Sequence, residues 1–121
     1  MRMILLAVVS AGCCLREEML RVREMPINDV NLTGIVDGSY PGEFTFGGFT
    51  YVVITTVERS RIRSIDVLAN YNSRQARKAE AVIPRIIEAQ TPNVDAVTGA
   101  TTTSKALMKA VENSLRSAPR R

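Results

Sequence analysis

EFTFGGFTYVVITTVERSRIRSIDVL, residues 43–68, is the stretch that decides the fold. Its first segment, Glu43–Phe46, alternates weakly, and the glycine pair that follows permits a hairpin turn because glycine adopts positive φ without steric penalty. The segment from Thr50 to Glu58 is rich in β-branched residues, and an Arg-Ser pair then allows a second tight turn into a strand from Arg61 to Leu68. The stretch therefore predicts three consecutive antiparallel strands, a β-meander.

The residues after the meander favour helices. Ser73 is a good N-cap, and an apolar stripe continues to Ile87, with Pro84 expected to kink or restart the helix. We expect a final short strand over 94–97, followed by a strongly amphipathic helix whose apolar residues recur between Leu107 and Leu115. The order of elements predicts an α+β fold in which a small antiparallel sheet packs against two or three helices.

The flanks set the expected domain boundaries. The run Asp37–Gly42 is dense in turn residues and opens the domain, which we expect to cover residues 34–117. Residues 118–121 are expected to be a frayed tail. Residues 15–33 are expected to be a charged linker, in which a short helix would end before Pro26.

The first 14 residues, MRMILLAVVSAGCC, read as a short export or lipoprotein signal. Their apolar run is too short to span a bilayer, which needs about 20 residues. The ending Ser-Ala-Gly-Cys resembles the bacterial lipoprotein box, which would make Cys13 a lipid anchor. The alternative is an apolar helix packed on the domain, with buried thiols. We expect an extracytoplasmic, membrane-associated protein.

The composition excludes several classes of site. The sequence has a formal charge of +4 but no His, so it lacks the usual imidazole base and most Zn or Fe ligand sets. Much of the basic excess lies near the two ends, which is typical of solvated termini. The helix start at Ser73 echoes a double-stranded-RNA-binding domain, but export argues against RNA, and we expect no nucleic-acid partner.

The hydroxyl-rich run from Thr98 to Ser104 is the strongest candidate site. A small-residue loop leading into a helix offers an anion several unpaired N–H groups and the favourable end of the helix dipole. Alternatively, Thr102 or Thr103 simply caps the helix. Spacing alone does not choose between these interpretations.

Three stretches, taken in order, resemble the FMN-binding domain family. This family includes the C subunit of the Na⁺-translocating NADH:quinone reductase, the G subunit of the Rnf complex and standalone exported flavoproteins. The stretches are Asp37–Gly42, Thr50–Asp66 and Gln90–Ser104. The third is specific, because an Asp, two residues and Thr-Gly-Ala-Thr are close to the family's flavinylation sequence. Where the transport subunits carry a His-Glu-Thr-Pro-Gly type stretch, this chain has Leu68–Ser73.

The resemblance implies FMN as cofactor, attached by a flavin transferase through its phosphate to the hydroxyl of Thr101. Asp95 and Thr98 would act in recognition and in shaping the loop. The other cofactor-binding residues would be Gly99, Ala100, Thr102, Thr103 and Ser104. The chain would then be an exported electron carrier that meets redox partner proteins at the membrane, rather than a stand-alone enzyme. The alternatives are a noncatalytic envelope interaction domain without flavin and a small RNA-binding module.

Overall fold

The computed structural model describes residues 11–121, with side chains from residue 16 onward. Its elements in chain order are α1 (Ala11–Glu24), β1 (Gly38–Phe46), β2 (Phe49–Glu58), β3 (Arg61–Ala69), α2 (Arg74–Ala79), α3 (Val82–Ala89) and α4 (Thr101–Arg116). Of the expected signal over residues 1–14, the first ten residues and all side chains, that of Cys13 included, lie outside these limits. Within residues 11–121, no helix combines the length and apolar character needed to cross a membrane.

The three strands form the predicted meander, in the order β1-β2-β3 with both pairs antiparallel. Phe46 pairs with Phe49 across the glycine turn, and both of its glycines have positive φ. The second turn is unusual because two non-glycine residues, Arg59 and Ser60, adopt positive φ of 53° and 63°. Alternate residues of β2 are buried, as a sheet covered on one face requires. The α+β class is confirmed.

Helix α4 packs across the sheet and forms the centre of the core. At its crossing with β1, a Cβ on Gly42 would lie 2.1 Å from the carbonyl oxygen of Ala110. A glycine is therefore required for close packing rather than for a turn. The expectation of a turn over Asp37–Gly42 is wrong, because β1 begins at Gly38. Pro41 is tolerated since β1 is an edge strand with one bonded neighbour.

The helical stretch after β3 divides into α2 and α3. Ser73 caps α2 as predicted, its Oγ accepting a hydrogen bond from the Ala76 N–H at 3.0 Å. The break falls at Glu80 and Ala81, ahead of Pro84. Pro84 has no N–H to bond the Glu80 carbonyl, so the chain restarts its helix before the proline.

Residues 94–97 do not form the expected final strand. Nη1 of Arg85 donates to the carbonyl oxygens of Asp95 at 2.9 Å and Ala96 at 3.4 Å. A side chain thus occupies acceptors that a neighbouring strand would have used.

The C-terminal residues are not a frayed tail. The Val36 N–H donates to the Pro119 carbonyl at 3.0 Å, and the Arg121 N–H donates to the Gly34 carbonyl at 2.7 Å. Ala118 is buried between these bonds and α4. Backbone pairing with the segment before β1 therefore fixes the end of the chain.

The segment before β1, expected to be a linker, also packs on the domain. Helix α1 ends at Glu24, in front of Pro26 as predicted. Val22 and Ile27 are buried, and α1 contacts α4. This packing brings α1 to the end of α4 that carries the threonines.

Candidate functional site

The threonines of the hydroxyl-rich run lie inside the first turn of α4. The helix begins at Thr101, and its N-cap residue, Ala100, makes no side-chain cap. The interpretation that Thr102 or Thr103 caps the helix is wrong, because a cap residue precedes the first helical residue. In the described part of the chain, the N–H groups of these three threonines have no hydrogen-bond acceptor. The helix end therefore presents unsatisfied donors on three partly exposed threonines.

Ser104 builds the loop that precedes these threonines. Its side chain is fully buried, and its Oγ accepts a hydrogen bond from the Val97 N–H at 3.0 Å. The Ala100 N–H donates to the Val97 carbonyl at 2.9 Å, and Gly99 has a φ of 84°. Among the predicted cofactor-binding residues, Ser104 thus acts on the loop's shape from the inside.

A cavity of about 520 Å³ lies at the start of α4. Its walls come from three parts of the chain: α1, the connection from β3 into the start of α2, and the loop that leads into the first turn of α4. The lining residues are Met19, Arg23, Tyr71, Ser73, Gln75, Gly99, Ala100, Thr101, Thr102 and Thr103. This volume falls in the range of about 300–1,000 Å³ that is typical of small-molecule sites. The sequence predicted the loop residues of this cavity but not its α1 wall.

Asp95 and Thr98 lie elsewhere. Both are exposed, and they line a separate cavity with Arg85 and Asn93. The two predicted recognition residues are therefore close to the threonines along the chain but do not line the same cavity.

Tyr71, which lines the cavity, belongs to a group of three aromatic rings. The Phe49 ring makes edge-to-face contacts with Tyr51, at a centroid distance of 4.9 Å, and with Tyr71, at 5.5 Å. Burial raises the pKa of the Tyr51 phenol, and the nearby Thr103 hydroxyl opposes that rise. The phenol is therefore neutral at pH 7 and lies close to a threonine of the helix start. A flat aromatic ligand would find a stacking surface here.

Among residues 16–121, the lining of the cavity includes no carboxylate, His or Cys. Residues 16–121 contain no cluster of side chains that could hold a metal ion. The donor set instead fits a phosphate at the N–H groups and a ring system against Tyr71.

Comparison with known proteins agrees with this geometry. The family model of the FMN-binding domain matches residues 46–116, from the end of β1 to the end of α4. A search of curated proteins finds no match. The matched region is more than half of the 121 residues, so the chain belongs to the FMN-binding domain family, and FMN is its cofactor.

Proposed function

We propose that this flavoprotein is an electron carrier whose FMN is esterified through its phosphate to a threonine at the start of α4. Thr101 is the first candidate for this threonine. One observation carries the proposal: three threonines with unsatisfied N–H groups share a cavity with the exposed ring of Tyr71. FMN, when bound, supplies acceptance and donation of one or two electrons. The chain's own residues supply attachment, orientation and the polarity around the cofactor.

The helix start suits a phosphodiester. Such a group keeps one negative charge, which the N–H groups of Thr101–Thr103 and the positive end of the α4 dipole would stabilise. In the attachment step, the threonine oxygen forms a bond to the phosphorus of an activated flavin nucleotide and loses its proton. The bond from phosphorus to the donor's leaving group breaks. A flavin transferase is the expected catalyst, and the half-exposed hydroxyls leave it room to act.

Thr103 is a second candidate for the ester. It lies close to the Tyr51 phenol. The Tyr51 ring contacts Phe49, and Phe49 in turn contacts Tyr71. An ester at Thr103 would bring FMN closest to this aromatic group. Thr101 is the position that the sequence resemblance implies, and experiment separates the two.

Electron transfer accounts for the cavity better than a reaction on a bound substrate. Among residues 16–121, the lining has no carboxylate, His or Cys, whereas electron exchange through FMN needs no such group from the protein. Tyr71 is 54% exposed, so a ring packed on it would remain near the surface. A redox partner protein at the membrane could then approach closely. Export and a lipid anchor at Cys13 complete the proposal and rest on residues 1–14 alone.

The test is expression of the full chain with a flavin transferase, followed by a denaturing gel viewed under ultraviolet light and by intact mass. We expect fluorescence that travels with the chain and a mass gain of FMN minus water. Thr101→Val should abolish both, while Thr45→Val, an exposed strand position, should not. Loss in Thr103→Val with retention in Thr101→Val would assign the ester to Thr103. A wild-type chain with the bare mass would refute covalent attachment.

A further inference from the structure

Lys78 approaches the loop that precedes α4. A Cβ added to Gly99 would lie 3.4 Å from the Lys78 Nζ, so the ammonium group lies against the loop backbone. Gly99 already needs to be glycine for its φ of 84°. The ammonium group of α2 is therefore next to the threonines in space, although it is far from them in sequence.

Arg23 lines the same cavity from α1. Its position is set by α4, because the residues just after it are held there. Lys105 Nζ donates to the Met25 carbonyl at 2.6 Å, and Lys109 Nζ donates to the Pro26 carbonyl at 3.1 Å. The helix that carries the threonines thus also fixes the segment that carries Arg23.

These two cations have no acidic partner within the described residues. The ion pairs found there are Arg63–Glu58, Lys109–Glu112, Arg116–Glu112 and Arg121–Asp37. Arg23 and Lys78 lie beside the positive end of the α4 dipole, which is an unfavourable place for a cation. Arg23 and three unsatisfied N–H groups face one cavity, and Lys78 lies against Gly99 in the wall of that cavity. Together these groups favour an anionic ligand.

We propose that Arg23 and Lys78 contact the FMN phosphate and set the preference for a phosphorylated flavin. The inference rests on the proposed FMN site and adds two residues to it. Arg23 lies upstream of the matched region 46–116, so the N-terminal segment contributes to the site although the family model does not cover it. The phosphate-binding site would then combine the backbone N–H donors of α4 with the positive charges of Arg23 on α1 and Lys78 on α2.

The experiment compares FMN with riboflavin, which lacks the phosphate. The full chain, made without the transferase, is titrated with each flavin, and binding is followed by flavin fluorescence. The wild type should bind FMN more tightly than riboflavin. Arg23→Gln and Lys78→Gln should each weaken FMN about threefold to fivefold, the effect of losing one exposed charge pair, and leave riboflavin unchanged. Added salt should weaken FMN binding in the wild type.

Matched variants keep the outcome specific. Arg21→Gln removes a charge from the same helix, but Arg21 lines a different cavity. This variant should therefore keep the wild-type ratio of FMN affinity to riboflavin affinity. Arg23→Lys should keep most of the preference. Equal binding of both flavins by the wild type, or a wild-type ratio in the double variant, would overturn this inference even if the chain is flavinylated in cells. A wild-type chain that carries no flavin in either experiment would overturn the proposed function itself.

Discussion

Replacing Glu112 with glutamine should loosen the N-terminal segment, because this carboxylate is a principal polar anchor of that segment. Glu112 is 1% exposed. Its Oε1 accepts from the Asn28 N–H at 3.3 Å and lies 2.8 Å from Lys109 Nζ. Its Oε2 accepts from Asn28 Nδ2 at 3.2 Å and lies 3.0 Å from Arg116 Nε. Glutamine would keep one acceptor oxygen and turn an NH₂ group toward the donors at the other.

The contacts set the size of the effect. Hydrogen bonds to a charged group contribute about 1.5–3 kcal/mol each, and breaking a buried ion pair costs about 3–5 kcal/mol. The Arg116 side chain is 60% exposed, so solvent screens its pair strongly. Lys109 and Asn28 would keep weaker bonds to the remaining oxygen. We therefore expect Glu112→Gln to lower the free energy of unfolding by about 2 kcal/mol at pH 7.

The effect should depend on pH. Burial raises the pKa of Glu112, but hydrogen bonds from Lys109 and Asn28 and the Lys109 charge outweigh it, so the pKa lies below its ordinary value of 4.5. A carboxyl group with a depressed pKa in the folded state stabilises the fold above its unfolded-state pKa. That stabilisation is lost as the pH falls through the folded-state pKa. The difference between wild type and Glu112→Gln should therefore narrow below pH 4.5.

Urea denaturation followed by circular dichroism, repeated from pH 7 to pH 3, measures this difference. Glu88→Gln is the control, because Glu88 is exposed and has no ion pair among the described residues; it should change stability by less than about 0.5 kcal/mol. Faster hydrogen exchange at the Asn28 amide would locate the loosening. A loss below about 0.5 kcal/mol at pH 7, or one that stays constant to pH 3, would refute the reasoning.

Three further changes test the sheet, the loop and the cavity. Gly42→Ala should lower the free energy of unfolding by about 3 kcal/mol in urea denaturation, since the new Cβ would lie 2.1 Å from the Ala110 carbonyl oxygen; wild-type stability would contradict this packing. Ser104→Ala should cost about 1–3 kcal/mol by leaving the Val97 N–H without its partner, and should lower the flavinylation yield seen by intact mass. With FMN packed on Tyr71 as proposed, Tyr71→Leu should raise the emission of bound FMN by removing the phenol ring, whereas Tyr71→Phe should change it less.

The meander is predictable from residues 43–68 because every feature there acts locally. β-branched residues favour the strands, and the glycine pair permits the hairpin whatever lies elsewhere. Gly42 shows the limit of such reasoning. It looks like a turn residue, but glycine is needed at this position because α4, many residues downstream, approaches β1 closely.

In the candidate site, too, the local features are predictable from the sequence and the long-range contacts are not. The threonine loop is visible because its small residues and hydroxyls are contiguous. Arg23 and Lys78 carry no signal of their own, since each is an ordinary basic residue in a charged helix. Packing of α1 and α2 brings them to the loop, and packing depends on contacts that sequence spacing does not display.

A covalently linked electron carrier has two opposing requirements, and the start of α4 meets both. The modifying enzyme must reach the hydroxyl, whereas the finished cofactor must be held in one place for electron transfer. Thr101–Thr103 are partly exposed, so the first turn of α4 is open to the modifying enzyme. The following turns of the same helix, including Leu107 and Val111, are fully buried against the sheet, so the backbone that would carry the proposed ester is held firmly. A helix that is open at its first turn and buried beyond it therefore permits attachment without giving up position.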